Sequence, residues 1–493
     1  MSHFLQNVER VANRLPHPMA LFVYLCVIVF GVSALGQLQN WQAQHPTTGD
    51  WLTVKSLASE QGLIFIFSSM VKNFMGFAPV GPVVIMALAF SLAERSGLLP
   101  ALIAKLTLNT PASLLAIAVA FLGVMSSIAV DSGYVVLLPL CAAVFLAAGR
   151  HPLAGLALGF ACVSGGFSAN LLVGPVDAML SGISSEALSL VTEQPVSILA
   201  NYYFMVVSVF LVVLVCVSVN RFWVEPYLLK TSPISQLSFV SADTQTASHF
   251  GKWFYGTLIC IVAAWLVLTL PSDAILRNEQ GGLLKGPFMA SLVVMIALSV
   301  AVLATVYGLE NRRFANWQTW VETLEQGIKD IAPYLVLMFV VAQFIAWFKW
   351  SELGIVLAIH LAGVLQDFAI SGTFALVALM VFSAVLNLFI GSASAKWGLL
   401  APVVIPAFYI LGVEAPAVQG AYRVADSSTN IITPLMPYFP LVLAYGLKYE
   451  KHLSVGRLLT IMLPYAVALF LIWGSLLVLW YGFDWPLGPS DSK

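Results

Sequence analysis

The chain has 493 residues, 60% of them hydrophobic and 9% charged, with a formal net charge of −1. A soluble domain carries roughly 45–50% apolar and about 25% charged residues, so a soluble fold is excluded and a polytopic protein surrounded by lipid is expected. A near-zero charge without a basic stripe excludes nucleic acid as a partner.

Arg10 and Arg14 precede the first apolar run, residues 19–35. By the positive-inside rule they place the N-terminus in the cytoplasm, and the run reads as a signal anchor rather than a cleaved leader. Residues 37–60 carry little positive charge and read as external. Runs near the ~20 residues needed to cross a bilayer follow at 112–130, 204–219, 253–270, 289–306, 374–390 and 458–481. Segments 73–82 and 329–350, interrupted by Pro or Gly, read as re-entrant hairpins. Arg221, Lys230 and Lys252 mark a cytoplasmic connector, Arg312 and Arg313 another, and Lys448, Lys451 and Arg457 a third before the last span. A tail beyond Trp480 on the external side then requires an odd number of crossings. Short alternating segments, the signature of a membrane barrel, are missing, so the architecture is all-α.

The connector, residues 221–252, separates two halves, 1–220 and 253–493, that carry matching blocks in the same order. Ala78-Pro79 leads to Ser96-Gly97-Leu98, as Ala332-Pro333 leads to Ser351-Glu352-Leu353-Gly354. SSIAVDSGYVVLLP from Ser126 is laid out like FIGSASAKWGLLAP from Phe389, and SANLLVGP from Ser168 like STNIITPL from Ser428. Inverted-repeat transporters bind substrate and ions near the bilayer midplane, between discontinuous helices. Broken backbone at that depth is tolerated only where protein buries it or it lines a wet cavity. The two breaks therefore predict one site built from both halves, with Asn170 and Asn430 lining it.

Ionisable groups inside the membrane tend to be functional. Arg423 and Asp426, three apart, share a helix face. Either they form a structural pair, or Arg423 receives an anionic substrate group through its fork of donors while Asp426 takes a cation or a proton. Asn387, Asp426, Asn430 and freed carbonyls form a candidate Na⁺ set. Asp177 is either part of the site or the cap of the helix after Pro175; Asp131 is likewise an ion ligand or a cap. Ser394 lies in the serine-rich break, and Trp397 beside it either stacks on a planar substrate ring or packs. Lys396 reads as a lysine snorkelling to an interface. The five cysteines read as small buried hydrophobes. Neither a P-loop nor the hydrolase motifs G-x-S-x-G and H-E-x-x-H occur, and repeated pore loops are missing. An ion-gradient-driven secondary transporter is expected, with channel and intramembrane enzyme as remoter alternatives, and no cofactor beyond a bound Na⁺.

The blocks VERVANRLPHP, NFMGFAPVG, AGRHPLAGL, GFSANLLVGPVDAMLSGIS, GSASAKWGLLAPV and YRVADSSTNIITPLMPY resemble the AbgT family of p-aminobenzoyl-glutamate transporters over essentially the whole chain. The resemblance implies nine transmembrane helices and two re-entrant hairpins per subunit, in a homodimer of the bacterial inner membrane. It also implies a substrate and cation site at Asp177, Asn387, Ser394, Trp397, Arg423, Asp426 and Pro434. Two activities go with the family: uptake of p-aminobenzoyl-glutamate, and export of p-aminobenzoate-like sulfonamides. GPVDA after SANLL resembles the exporting members more closely, so export of small p-aminobenzoate-like aromatic compounds is expected, with Na⁺ and H⁺ coupling both open.

Overall fold

The computed structural model describes residues 18–44, 49–78, 80–108, 111, 114–128, 134, 137–232, 250–278, 282–283, 287–368, 370–433, 436 and 438–489. Arg10, Arg14, Asp131, Pro434 and most of the connector lie outside them. The first helix, α1 (Pro18–Leu38), is followed by a two-stranded ribbon, β1 (Gln42–Gln44) against β2 (Trp51–Thr53), antiparallel with Gln42 opposite Thr53. Next come α2 (Glu60–Met75), α3 (Val80–Arg95), α4 (Leu98–Leu108), α5 (Leu115–Met125), α6 (Leu138–Ala147) and α7 (Pro152–Phe160). A π turn, Ala161–Gly165, ends α7; α8 (Pro175–Leu188) and α9 (Tyr202–Val219) follow, and a second π turn extends α9 into α10 (Glu225–Thr231). The remainder is α11 (Lys252–Thr269), α12 (Pro287–Glu310), α13 (Trp317–Trp350), α14 (Leu353–Asp367), α15 (Gly372–Asn387), α16 (Ala393–Ile410), α17 (Ala415–Asn430), α18 (Phe439–Leu447) and α19 (Val455–Gly482).

Among the described residues 8 helices are long and apolar enough to cross a membrane, or 9 if the bent pair α14–α15 counts as one span. That pair turns through 116°. Helices α5, α6 and α7 are too short: even the 14 residues of α7 with its π turn rise only about 21 Å, against a ~30 Å core. α6 and α7 fold back on each other, and glycine makes this possible. A Cβ on Gly155 would lie 2.4 Å from the Cys141 carbonyl oxygen, and one on Gly159 2.9 Å from Cys141 Sγ.

The hairpins expected at 73–82 and 329–350 are corrected here. Residues 60–95 make one 36-residue candidate span, α2 plus α3, with Pro82 in the first turn of α3, where its missing N–H is harmless. Residues 329–350 belong to the 34-residue helix α13, which carries Pro333 in its interior. Membrane helices tolerate such a proline because neighbours re-satisfy the freed backbone groups.

One core cluster joins α1, α2, α5–α10 and α13–α19. A second, around Leu92, Phe254, Ala304, Tyr307 and Phe314, joins α3, α4, α11 and α12. Only 6% of the apolar window of α11 is buried, so that helix shows its apolar surface outward. Cys26, Cys141, Cys162 and Cys216 are buried as expected; Cys260, on α11, is exposed instead.

Candidate functional site

The site is built where the ends of α15, α16 and α17 meet the chain break before α8. α17 is unlike the candidate spans, with all of its residues but Pro416 buried although it carries Arg423 and Asp426. A helix can hold charges there only if neighbours answer them. Each charge finds a different partner, and neither partner is the other.

Arg423 Nη2 donates to Asp177 Oδ1 at 2.7 Å and to the Ser168 carbonyl at 2.8 Å. The guanidinium is 1% exposed and the carboxylate 6%. Asp177 is the third residue of α8; its Oδ2 accepts from the Gly174 N–H at 2.9 Å and from Asn170 Nδ2 at 3.0 Å. The cap reading of Asp177 holds for one oxygen, while the other faces Arg423. Arg423 Nε makes no hydrogen bond among the described residues.

Asp426 pairs with Lys396, whose ammonium also donates to Asn387 Oδ1. Of the two alternatives for Arg423 and Asp426, the mutual pair is therefore not formed. Spacing of three places both residues on one face, but the arginine reaches α8 and the aspartate α16. Lys396 is 1% exposed and does not snorkel; the first turn of α16 begins at Ala393 inside the protein and holds its stem there. Asn387 Nδ2 lies within hydrogen-bond range of the Asp426 carbonyl (2.8 Å), Thr429 Oγ1 (2.8 Å) and Asn430 Oδ1 (2.9 Å). The three residues expected to ligate Na⁺, Asn387, Asp426 and Asn430, are thus brought together. The position between Asn387 Oδ1 and the Asp426 carboxylate, however, belongs to the Lys396 ammonium, so Na⁺ fits only with that ammonium withdrawn.

The two breaks do meet: the Ser168 N–H donates to Ser427 Oγ at 3.1 Å. They are not equivalent. Ser168-Ala169-Asn170 is non-helical, whereas Ser428-Thr429-Asn430 is the last turn of α17 and the chain leaves the helix only after it. Ser428 and Thr429 donate to the Ala425 carbonyl at 3.2 and 2.7 Å, which satisfies their hydroxyls without breaking the helix.

A second polar line runs along the same face of α8, two turns beyond Asp177. Trp397 Nε1 donates to Ser184 Oγ at 2.9 Å, Ser184 donates to Gln419 Oε1 at 2.6 Å, and Gln419 Nε2 donates to Asn201 Oδ1 at 2.8 Å. The Trp397 indole stacks on Tyr422, with centroids 4.5 Å apart and planes at 24°. Ser394, at the entry to α16, is 3.1 Å from Ser392 Oγ. Sequence reasoning missed Lys396 as a site residue, and also Ser184, Asn201, Gln419 and Tyr422. One signal was available: Asp177 and Asp426 outnumber Arg423 by one charge, and Lys396 is the basic residue in the matched blocks.

Apolar helices long enough to cross a membrane, discontinuous segments and a buried set of opposed charges fit a multi-pass membrane transporter. The chain belongs to the family described as "AbgT putative transporter family", whose sequence pattern matches residues 3–493. It is 35% identical over 487 residues to the p-aminobenzoyl-glutamate transport protein of Escherichia coli K12, covering 98% of this chain and 95% of that one. Its fold is similar to the YdaH transporter of Alcanivorax borkumensis, described as having an unusual topology, with TM-score 0.93, 44% identity and coverage of 96% of this chain and 100% of that one. It is also similar to MtrF of Neisseria gonorrhoeae, presented as illuminating a class of antimetabolite efflux pumps, with TM-score 0.90, 36% identity and coverage of 99% and 100%. The chain is a transporter and not an enzyme.

Proposed function

We propose that this transporter exports small p-aminobenzoate-like aromatic compounds, sulfonamide antimetabolites among them, across the bacterial inner membrane at the expense of an ion gradient. The observation that carries the reading is Arg423: a guanidinium 1% exposed, with its Nε–H unused among the described residues, on the same helix as Tyr422 of the Trp397 stack. Arg423, its guanidinium oriented by Asp177, receives a carboxylate or sulfonyl group, Trp397 flanks the ring, and Asn170 and Ser394 line the approach; Pro434 belongs to the same set by resemblance. The relation to MtrF supports export. Arg10 and Arg14 support a cytoplasmic N-terminus. A homodimer is carried over from the family resemblance, and cross-linking in detergent tests it.

The second reading, uptake of p-aminobenzoyl-glutamate, is favoured by charge. Asp177, Asp426, Lys396 and Arg423 are all buried and cancel. Adding an anion alone leaves an uncompensated buried charge, which is expensive, so an anion and a cation bind more readily together. Such linkage is the thermodynamics of cotransport. Liposomes carrying the protein, with Na⁺ and H⁺ gradients imposed separately, test both readings with labelled p-aminobenzoate, a sulfonamide and p-aminobenzoyl-glutamate. Outward flux of the first two is expected. Gradient-driven inward flux of the third alone selects uptake, and no flux of any of them overturns both.

A further inference from the structure

Lys396 stands in a place that helix electrostatics disfavours. It is the fourth residue of α16, within the turn where the helix N-terminus carries partial positive charge, and cations there are destabilised. Its partner Asp426 lies one turn from the C-terminal end of α17, where the partial charge is negative. The pair therefore opposes both dipoles, and neither helix gains stability from holding it. Both side chains are almost fully buried, at 1% and 2% exposure, and a buried pair of this kind is weak evidence for a stabilising role.

The ammonium is also surrounded as a small cation would be. It meets a carboxylate oxygen of Asp426 and the amide oxygen of Asn387. The Asn387 amide is turned so that its oxygen faces the lysine, because its nitrogen is held by the Asp426 carbonyl, Thr429 and Asn430. Thr433 Oγ1 donates to the Thr429 carbonyl at 2.9 Å and lies 3.3 Å from the Asn387 carbonyl, which ties the cluster to the chain leaving α17. Two oxygens with their supporting groups fixed thus converge on one monovalent cation, the lysine ammonium.

We propose that the Lys396 ammonium is a tethered competitor for the coupling cation. It occupies the Asp426–Asn387 oxygens when no ion is bound and swings away on its four-carbon stem when a Na⁺-sized ion takes its place. With the amine protonated, each exchange sets a positive charge free beside the site. That charge is available to an anionic substrate when, and only when, the cation is in place. The proposal rests on the cotransport linkage of the second reading above and adds to it the residue through which cation and anion occupancy are linked.

The test is the melting temperature of the detergent-purified full chain while NaCl replaces choline chloride at constant ionic strength. An ion that binds only the folded state raises stability by mass action. Lys396→Met and Lys396→Gln are expected to lower the apparent Kd for Na⁺ at least tenfold, equivalent to about 1.4 kcal/mol. Lys396→Arg, which keeps the competing charge, should show no such gain, and Lys396→Met combined with Asp426→Asn should lose the Na⁺ response altogether. Lys396→Met that folds only in Na⁺ supports the proposal, since the ion then replaces the ammonium. Equal Kd values with and without the amine, or a Lys396→Met chain that folds in neither salt, overturn it. Flux in liposomes that ignores every cation gradient would instead sink the coupling reading, whatever these Kd values show.

Discussion

Asp177→Asn tests the central pairing, because it removes one charge and little else. The amide oxygen of asparagine can still accept from the Gly174 N–H, so the helix cap survives. At the 2.7 Å separation of Arg423 Nη2 and Asp177 Oδ1, an effective dielectric of about 20 gives an attraction of ~6 kcal/mol. Part of it offsets the desolvation of both groups. The loss on removing one partner, with the other left buried and unanswered, is about 3–5 kcal/mol. Arg423→Gln alone strands Asp177 and should fall in the same range. The double variant strands neither, so its destabilisation should be well below the sum, with a coupling energy of about 2 kcal/mol or more. Equilibrium unfolding in mixed micelles measures the cycle, with liposome flux alongside. All three variants should lose transport, because the guanidinium and its orientation are both needed. Additivity within about 0.5 kcal/mol would show that the two residues do not interact and would refute the pairing.

Three further outcomes are expected. His151, in the turn between α6 and α7, is buried; its Nδ1 accepts from the Leu153 N–H at 3.2 Å, and its Nε2 lies 2.8 Å from the Ser232 carbonyl. Burial lowers its pKa despite Glu450 and Glu225 nearby. With the folded value below the unfolded ~6.5, its contribution is intact above that pH and lost as pH falls through the folded value; His151→Asn, which still caps α7, should flatten the melting temperature between about pH 7 and pH 5. Gly123→Ala would place a Cβ 2.6 Å from Cys162 Cβ, and overpacking of this kind should destabilise by about 1–3 kcal/mol, read from thermal unfolding. Trp397→Phe keeps the stack on Tyr422 but loses the 2.9 Å bond to Ser184, so it should cost about 1 kcal/mol and weaken aromatic substrates more than their gradient dependence in flux assays.

Much of this was legible in the sequence, and the failures share one cause. Most apolar runs became helices at nearly the places expected, since twenty apolar residues have few other fates in lipid; the run at 112–130 is the exception, giving only the 11-residue α5. Asp177, Asn387, Arg423 and Asp426 stood out because a charge or amide in such a run demands a partner. The identity of that partner is a long-range fact. Residues 423 and 426 are neighbours on one helix face, yet their counter-charges lie on α8 and α16, 246 and 30 positions away. The hairpins were misplaced because proline marks an interruption of hydrogen bonding and not a reversal of direction: Pro333 sits inside a continuous helix, while the sharp bend falls between α14 and α15. Lys396 was misread because a long stem near a helix start can go outward or inward, and only the acid opposite it decides.

The burial of α17 has a consequence for how the protein is made. A charged side chain at the centre of a helix raises the cost of membrane insertion by about 2.5–3.5 kcal/mol, and this helix carries two. It cannot enter lipid on its own hydrophobicity. Asp177 is synthesised 246 residues before Arg423, and Lys396 also precedes Asp426, so both counter-charges are made before the ribosome delivers α17. The order of synthesis thus serves the fold: the helix that most needs partners emerges after them, and a chain whose α8 or α16 fails to insert should hand α17 to the cell's quality control rather than to the bilayer.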